Sequence, residues 1–320
     1  MSAKKRGVLW ILASAGGYSL FTVFGKNVLE QLTAGDVLAW RFIIAAPISW
    51  AIVMLRWKLG LGGSPRSVRW LPPYLAGVSF GLMAYFAFAA LDRLTGAIYI
   101  VLCYTYPSFV AIGAWLLGKP TSRRLWIAIA LTLIGVGFTV PEIEFGGDGR
   151  AVAGMILTLG NSLIYACYIL YSERLMTPSG AATNGTSDAE PRRIDGFVTA
   201  AWGMTGSLTF AGVLAIASGG IEAPTGTKFV WSMIGLGVIS TVVAATAFLL
   251  AVARLGPAPA ALFASVEPAI TLVWIVLFLG ETLVPIQVIG AVLVIAGVVW
   301  SQRSRVSNDV IASEPEVRAP

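Results

Sequence analysis

Ten long apolar runs, separated by short charged stretches, dominate this chain. Each is about 17 to 25 residues long, which is the length that a helix needs to cross the hydrocarbon core of a bilayer. A segment in hydrocarbon must satisfy its own backbone hydrogen bonds, and the alternating pattern of a barrel strand is absent, so each run is predicted to be a transmembrane helix. The runs cover residues 7–28, 35–55, 73–91, 95–117, 124–141, 151–172, 197–218, 229–250, 257–279 and 284–301.

Composition favours the same class of protein. Of the 320 residues, 57% are apolar and 12% are charged, whereas about 25% of the residues in an ordinary soluble domain are charged. The sequence has no histidine and no G-x-x-x-x-G-K-[ST] loop for a nucleotide, and Cys103 and Cys167 both lie in apolar runs. We therefore predict an all-α integral membrane protein that is not an enzyme and that uses no metal and no cofactor.

Basic residues are distributed unevenly between the two sets of loops. Lys26, Arg93, Arg150 and Lys228 fall on one side, Arg41 lies within a span, and the other 17 of the 22 lysines and arginines fall on the opposite side. The positive-inside rule then predicts that both termini are cytoplasmic. Short basic clusters between apolar runs are typical of topology signals rather than of a nucleic-acid surface.

The chain also resembles itself at a nearly constant spacing, so it is predicted to contain two five-helix repeats. Because five is odd, the second repeat enters the membrane from the opposite side, and such an inverted repeat lets a central site open alternately to each side. The predicted units are residues 1–141, an external loop 142–150, residues 151–301 with a cytoplasmic loop 173–196, and a flexible cytoplasmic tail 302–320. The matches are Ala39-Trp40 with Ala201-Trp202, Arg93-Leu94 with Arg254-Leu255 and Pro107 with Pro268 at 161 or 162 residues, and Gly7 with Gly154 and Tyr18 with Tyr165 at 147 residues.

Short motifs stand at matching places in the two halves. They are Leu38-Ala39-Trp40-Arg41-Phe42, Thr95-Gly96-Ala97 and Tyr106-Pro107 in the first half, and Ser265-Val266-Glu267-Pro268 and Leu279-Gly280-Glu281 in the second. With these motifs, residues 5–301 resemble the EamA family of the drug/metabolite transporter superfamily. One departure is Lys119-Pro120, which stands where the family usually carries an acidic residue such as Glu281.

The resemblance implies a bundle of ten helices around a central cavity in the cytoplasmic (inner) membrane of a bacterium. It also implies export or exchange of amino acids or related small metabolites, usually without ATP. A multidrug, nucleoside or sugar transporter of the same fold and a small-solute channel are the alternatives. Proton coupling and the oligomeric state stay open.

Glu267 is the strongest candidate for a functional residue. It is the eleventh residue of its predicted span, so it lies near the middle of the bilayer, where a charge costs on the order of 3 kcal/mol. It is either a ligand for a substrate amine, a proton-coupling carboxyl, or a buried acid bonded to its neighbours. Arg41 lies about 9 Å inside its helix; it pairs with Glu267, holds a substrate carboxylate, snorkels to an interface, or orients the bundle.

Polar stripes at helical spacing are predicted to line the cavity or to join helices by hydrogen bonds. Pro107 and Pro268 both lie in the middle of a span. Each removes one backbone hydrogen bond, so a kink is expected in two helices related by the repeat, either as a hinge or as part of the cavity wall. The candidate cavity residues are Tyr18, Tyr85, Tyr99, Tyr106, Asn161, Tyr165, Tyr168 and Glu267.

Overall fold

All the regular secondary structure of the described chain is helical. The computed structural model describes residues 3–118, 123–139, 149–176, 195–255 and 266–313. The helices are α1 (Ala3–Leu29), α2 (Ala34–Lys58), α3 (Leu71–Leu91), α4 (Gly96–Cys103), α5 (Tyr106–Leu116), α6 (Arg123–Thr139), α7 (Arg150–Met176), α8 (Gly196–Ala217), α9 (Thr227–Gly237), α10 (Ala244–Leu255), α11 (Glu267–Trp274) and α12 (Pro285–Ser313). One π-helix, Val238–Val243, joins α9 to α10, and another, Ile275–Leu279, follows α11.

Seven helical segments in these ranges are long and apolar enough to cross a membrane. They start at Lys5, Ala34, Leu71, Gly96, Arg150, Gly196 and Thr227, and two shorter apolar segments, Glu267–Leu279 and Pro285–Gly297, follow them. The chain is therefore an all-helical, multi-pass membrane protein. Every predicted run contains helical residues, but the count of ten crossings and the inverted repeat stay predictions.

The structure differs from the sequence-based boundaries at two places. The run 95–117 is divided into α4 and α5 instead of forming one kinked helix. The last helix continues to Ser313, so residues 302–313 are helical where a flexible tail is expected. The loops 142–150 and 173–196 and the beginning of the run 257–279 lie mostly outside the described residues.

Polar caps fix where several helices begin. Thr33 and Asp36 form a capping box at the start of α2, since the Thr33 hydroxyl accepts from the Asp36 N–H and the Asp36 carboxylate accepts from the Thr33 N–H. The Asp195 carboxylate caps α8 by accepting from the Phe197 and Val198 N–H groups. These caps satisfy backbone donors that a helix cannot pair internally.

Small residues let α3 and α8 pack backbone to backbone. A Cβ atom at Gly77 would overlap the carbonyl of Gly203, and one at Gly206 would overlap the carbonyl of Tyr74. Close approach of this kind, through glycine, is typical of helices that associate within a bilayer. Further extensive contacts join α1 to α10, α2 to α8, α3 to α7 and α6 to α12.

Candidate functional site

The fourth predicted span is interrupted in its middle. Helix α4 ends at Cys103 and α5 begins at Tyr106, with Pro107 in its first turn. Proline has no N–H to donate to the carbonyl four residues earlier, which is that of Cys103. The Ser162 hydroxyl of α7 donates to this carbonyl at 2.9 Å, so a side chain of the second half satisfies the group that Pro107 leaves free.

Glu267 occupies the corresponding place in the second half. It begins α11 and is followed by Pro268 in the first turn, as Tyr106 is followed by Pro107. The Tyr104 side chain interacts electrostatically with the Glu267 carboxylate. Glu267 is only half-buried, and Ala264, the residue four positions before Pro268, lies outside the described residues.

A group of tyrosines surrounds this carboxylate. The ring centroids of Tyr106 and Tyr165 are 4.7 Å apart, those of Tyr104 and Tyr106 are 5.7 Å apart, and Tyr165 stacks with Tyr168 at 6.3 Å. Tyr18 of α1 interacts electrostatically with both Glu267 and Tyr168. Five of the predicted residues (Tyr18, Tyr106, Tyr165, Tyr168 and Glu267) are therefore neighbours.

Asn161 and Tyr99 complete this group next to Cys103. The Asn161 amide nitrogen lies 3.5 Å from the Cys103 sulfur, and the Tyr99 hydroxyl also hydrogen-bonds Cys103. Asn161 is 3% exposed, and its carbonyl oxygen Oδ1 has no hydrogen-bond partner among the described residues. A buried acceptor without a donor is unfavourable, so this atom is suited to receive a donor from a ligand.

Arg41 lies on another side of the same tyrosines. It is 4% exposed, and its Nε donates to the Thr241 hydroxyl at 2.9 Å. It interacts electrostatically with Tyr18 and Tyr99. Both residues are described, and they form no ion pair with each other in this structure; the other interpretations of Arg41 stay predictions.

Tyr85 does not join the tyrosine group through any contact of the described residues. It packs against the apolar cluster between α2, α3 and α8, and its ring lies 6.4 Å from that of Phe86. A small cleft lies in a different part of the bundle, next to Ser49, Phe197 and Leu249. It contains none of the predicted site residues, and its lining is mostly apolar.

Comparison with known proteins identifies the family of this chain. The model of the EamA-like transporter family matches residues 5–140 and 152–302. The chain belongs to the EamA-like transporter family. It is therefore a transporter of small molecules, as its sequence motifs imply, and its family consists of transporters rather than enzymes.

Curated relatives of this family member include several named exporters. The threonine/homoserine exporter RhtA of Escherichia coli strain K12 is 29% identical over 88% of this chain and 84% of its own length. RhtA of Salmonella typhimurium strain LT2 is 28% identical over 97% of this chain and 94% of its own length. The uncharacterized transporter YcbK of Bacillus subtilis is 25% identical over 89% of this chain.

A solved crystal structure has the same fold. It covers 95% of this chain and 98% of its own chain with a TM-score of 0.62, at 16% sequence identity. Identity this low relates the two folds only, so the chemistry of the site has to be argued from the residues of this chain.

Three residues that contribute to the site were missed by the sequence analysis. Tyr104 falls off the helical stripe of Tyr99 and Tyr106, because helical spacing does not continue through the break after Cys103. Ser162 is next to the predicted residue Asn161 in the sequence. Its role follows only from its bond to the Cys103 carbonyl, which Pro107 leaves without a backbone donor. Thr241 lies in the π-helix between α9 and α10, and no sequence signal marks that element.

In the described ranges, no group of metal-ligating side chains is arranged to hold an ion.

Proposed function

We propose that this protein is a secondary transporter that exports or exchanges amino acids or related small metabolites by alternating access. The observation that carries the proposal is the group of Glu267, Tyr18 and Asn161 near the break between α4 and α5 and the start of α11. A carboxylate and an orphan amide oxygen among phenol rings make a site of hydrogen-bond acceptors within an apolar bundle. Such a site suits an ammonium group.

In this proposal Glu267 binds the amine of the substrate. Tyr104 lies beside the carboxylate, and the neighbouring ring faces of Tyr106 and Tyr165 favour a cation through their quadrupoles. Tyr18, Cys103, Tyr106, Tyr165, Tyr168 and Glu267 are all half-buried although they adjoin one another. Side chains that line one water-accessible cavity are expected to be partly exposed and close to one another. The exposure of these residues therefore supports a cavity-lining role.

Reciprocal contacts support the inverted repeat. A Cβ atom at Gly7 would lie 2.7 Å from Leu255, and one at Gly154 would lie 2.7 Å from Leu94. Gly7 is the repeat mate of Gly154, and Leu94 is the repeat mate of Leu255. The glycine of each half therefore packs against the equivalent leucine of the other half. Exchange of equivalent contacts is expected of two halves related by a two-fold axis.

The proposed topology has ten crossings with both termini in the cytoplasm of a bacterium. The seven long apolar helical segments and the two shorter ones coincide with nine predicted runs, and α6 (Arg123–Thr139) occupies the remaining one. The uneven distribution of lysine and arginine supports the orientation. Cysteines introduced at Arg318 and at Lys228 and tested with an impermeant thiol reagent on intact cells would verify it, since only the second should react.

The names of the relatives favour small polar amino acids as substrates. The RhtA proteins of Escherichia coli and Salmonella typhimurium are threonine/homoserine exporters. Threonine and homoserine both carry an ammonium group that Glu267 is suited to bind and hydroxyls that tyrosine and Asn161 are suited to bind. We therefore propose threonine and homoserine as the first substrates to test.

Counterflow in proteoliposomes tests the function directly. Vesicles loaded with unlabelled threonine are expected to accumulate external labelled threonine transiently above equilibrium, and protein-free vesicles to show no accumulation. Saturable counterflow identifies a carrier, whereas flux without saturation or counterflow would indicate a channel. An imposed pH gradient that changes net uptake but not exchange would establish proton coupling. If no amino acid exchanges, the same vesicles test drugs, nucleosides and sugars.

A further inference from the structure

Arg41 is a buried charge whose hydrogen-bonding capacity is mostly unused. Its guanidinium stays protonated in proteins and has five N–H donors. One donor reaches Thr241, and among the described residues no acceptor meets the two terminal nitrogens and no carboxylate forms an ion pair with them. A buried charge that lacks a counter-ion is costly, so these free donors indicate the place of an anionic ligand group.

The surroundings hold the guanidinium in one orientation. The Thr241 hydroxyl, which accepts from Arg41 Nε, itself donates at 2.8 Å to the carbonyl of Leu236, five residues earlier in the last turn of α9. Aromatic rings also stabilise the cation without using its N–H donors. The guanidinium carbon lies 5.1 to 5.7 Å from the ring centroids of Phe21, Phe42, Phe80 and Phe88. The fork is therefore pre-organised and keeps its in-plane donors available.

The same tyrosines connect this cation to the carboxylate of Glu267. Tyr18 and Tyr99 each interact electrostatically with both Arg41 and Glu267. A positively charged donor group and a negatively charged acceptor group thus both lie near these two tyrosines. This polarity matches a molecule that has an anionic and a cationic group.

We propose that Arg41 binds the carboxylate of the transported substrate. The inference rests on the proposed function and deepens it, because it restricts the substrates to compounds that carry a free carboxylate. A guanidinium makes two parallel hydrogen bonds to a carboxylate, which an amide or an ester cannot reproduce. Amines that lack a carboxylate are then excluded even though Glu267 is able to bind them.

Paired substrate analogues and an Arg41→Lys variant test the proposal. In wild-type proteoliposomes, unlabelled threonine should inhibit counterflow of labelled threonine, and threoninamide should inhibit it at least about tenfold more weakly. Arg41→Lys keeps the charge but loses the fork, so its KM for threonine should rise at least about tenfold. Arg93→Lys is the matched control, because Arg93 lies in the turn after α3 and bonds the carbonyl of Ala89 at the end of that helix, and its KM should not change.

Thermal stabilisation of the detergent-solubilised full chain supplies a readout that does not depend on transport. Threonine and its 2-hydroxy acid should raise the unfolding temperature of the wild type but not of Arg41→Lys, and threoninamide should raise neither. If counterflow fails but this pattern appears, the proposed function is lost and the Arg41 site stands. If counterflow works but threoninamide competes as well as threonine, the function stands and the Arg41 site is refuted. If a monodisperse Arg41→Lys protein keeps the wild-type KM, the site is equally refuted.

Discussion

Helices α5 and α11 begin in the same way and differ in the residue that comes first. Tyr106 and Glu267 each precede a proline in the first turn, and they occupy equivalent places in the two halves. Tyr106 packs its ring against Tyr165, whereas Glu267 brings a carboxylate close to Tyr104. The two halves thus share a helix that starts with a proline in its first turn, and only the second half places a charged residue directly before that proline.

This difference separates two requirements of a transporter built from repeats. Similar backbones in the two halves let either side of the bundle open at a similar energetic cost. A binding site, however, has to fit one asymmetric substrate, so its charged groups cannot be duplicated by symmetry. In the proposed site Glu267 and Arg41 supply opposite charges from the two proposed halves, and the proposed repeat mate of Glu267 is the uncharged phenol of Tyr106.

The largest expected effect comes from removing the charge that distinguishes the two helix starts. Glu267→Gln preserves the shape of the side chain and an acceptor beside Tyr104 but loses the negative charge, so counterflow of threonine should fall at least about hundredfold, which is about 2.7 kcal/mol. Tyr106→Phe at the equivalent place keeps the ring beside Tyr165, and counterflow should fall less than about fivefold. Equal losses in the two purified variants would contradict the comparison.

Glycine contacts between the halves should give a smaller effect that is the same on both sides. Gly7→Ala pushes against Leu255, and Gly154→Ala pushes against Leu94, both at 2.7 Å. Overpacking of this kind costs about 1–3 kcal/mol, and the two variants should lower the unfolding temperature in detergent by similar amounts. Gly16→Ala is the control in α1, since nothing lies within 4 Å of a Cβ atom there. Strongly unequal losses at Gly7 and Gly154 would argue against the two-fold relation.

The sequence predicted the backbone of the site better than its contacts. Apolar run length identified the helices, and the matched positions of Pro107 and Pro268 indicated two altered helices, because proline acts on the backbone of its own segment. The sequence did not predict that the span 95–117 is fully interrupted, since that depends on Ser162 from α7 being there to satisfy the Cys103 carbonyl. Local periodicity cannot report a partner that comes from the other half.

Side-chain proximity was less predictable for the same reason. A direct pair between Arg41 and Glu267 was one possibility for two charges within predicted spans. It requires their two helices to lie close together, which the spacing of residues along the sequence does not reveal. Tyr18 and Tyr99 interact with both groups instead. Tyr85 has the residue type and depth of a cavity residue, but the packing of α3 against α2 and α8 carries it into an apolar cluster.

The smallest expected effect concerns the carbonyl that Pro107 leaves free. Ser162→Ala removes its donor, and an unsatisfied buried carbonyl costs about 1–3 kcal/mol. In a Pro107→Ala background the new N–H at position 107 is able to donate to the Cys103 carbonyl, so Ser162→Ala should then cost less by about 1 kcal/mol. Unfolding free energies of the four proteins in detergent give this coupling as a double-mutant cycle. A cycle with no coupling would mean that the proline, and not the bond from α7, suffices to hold α4 and α5 apart.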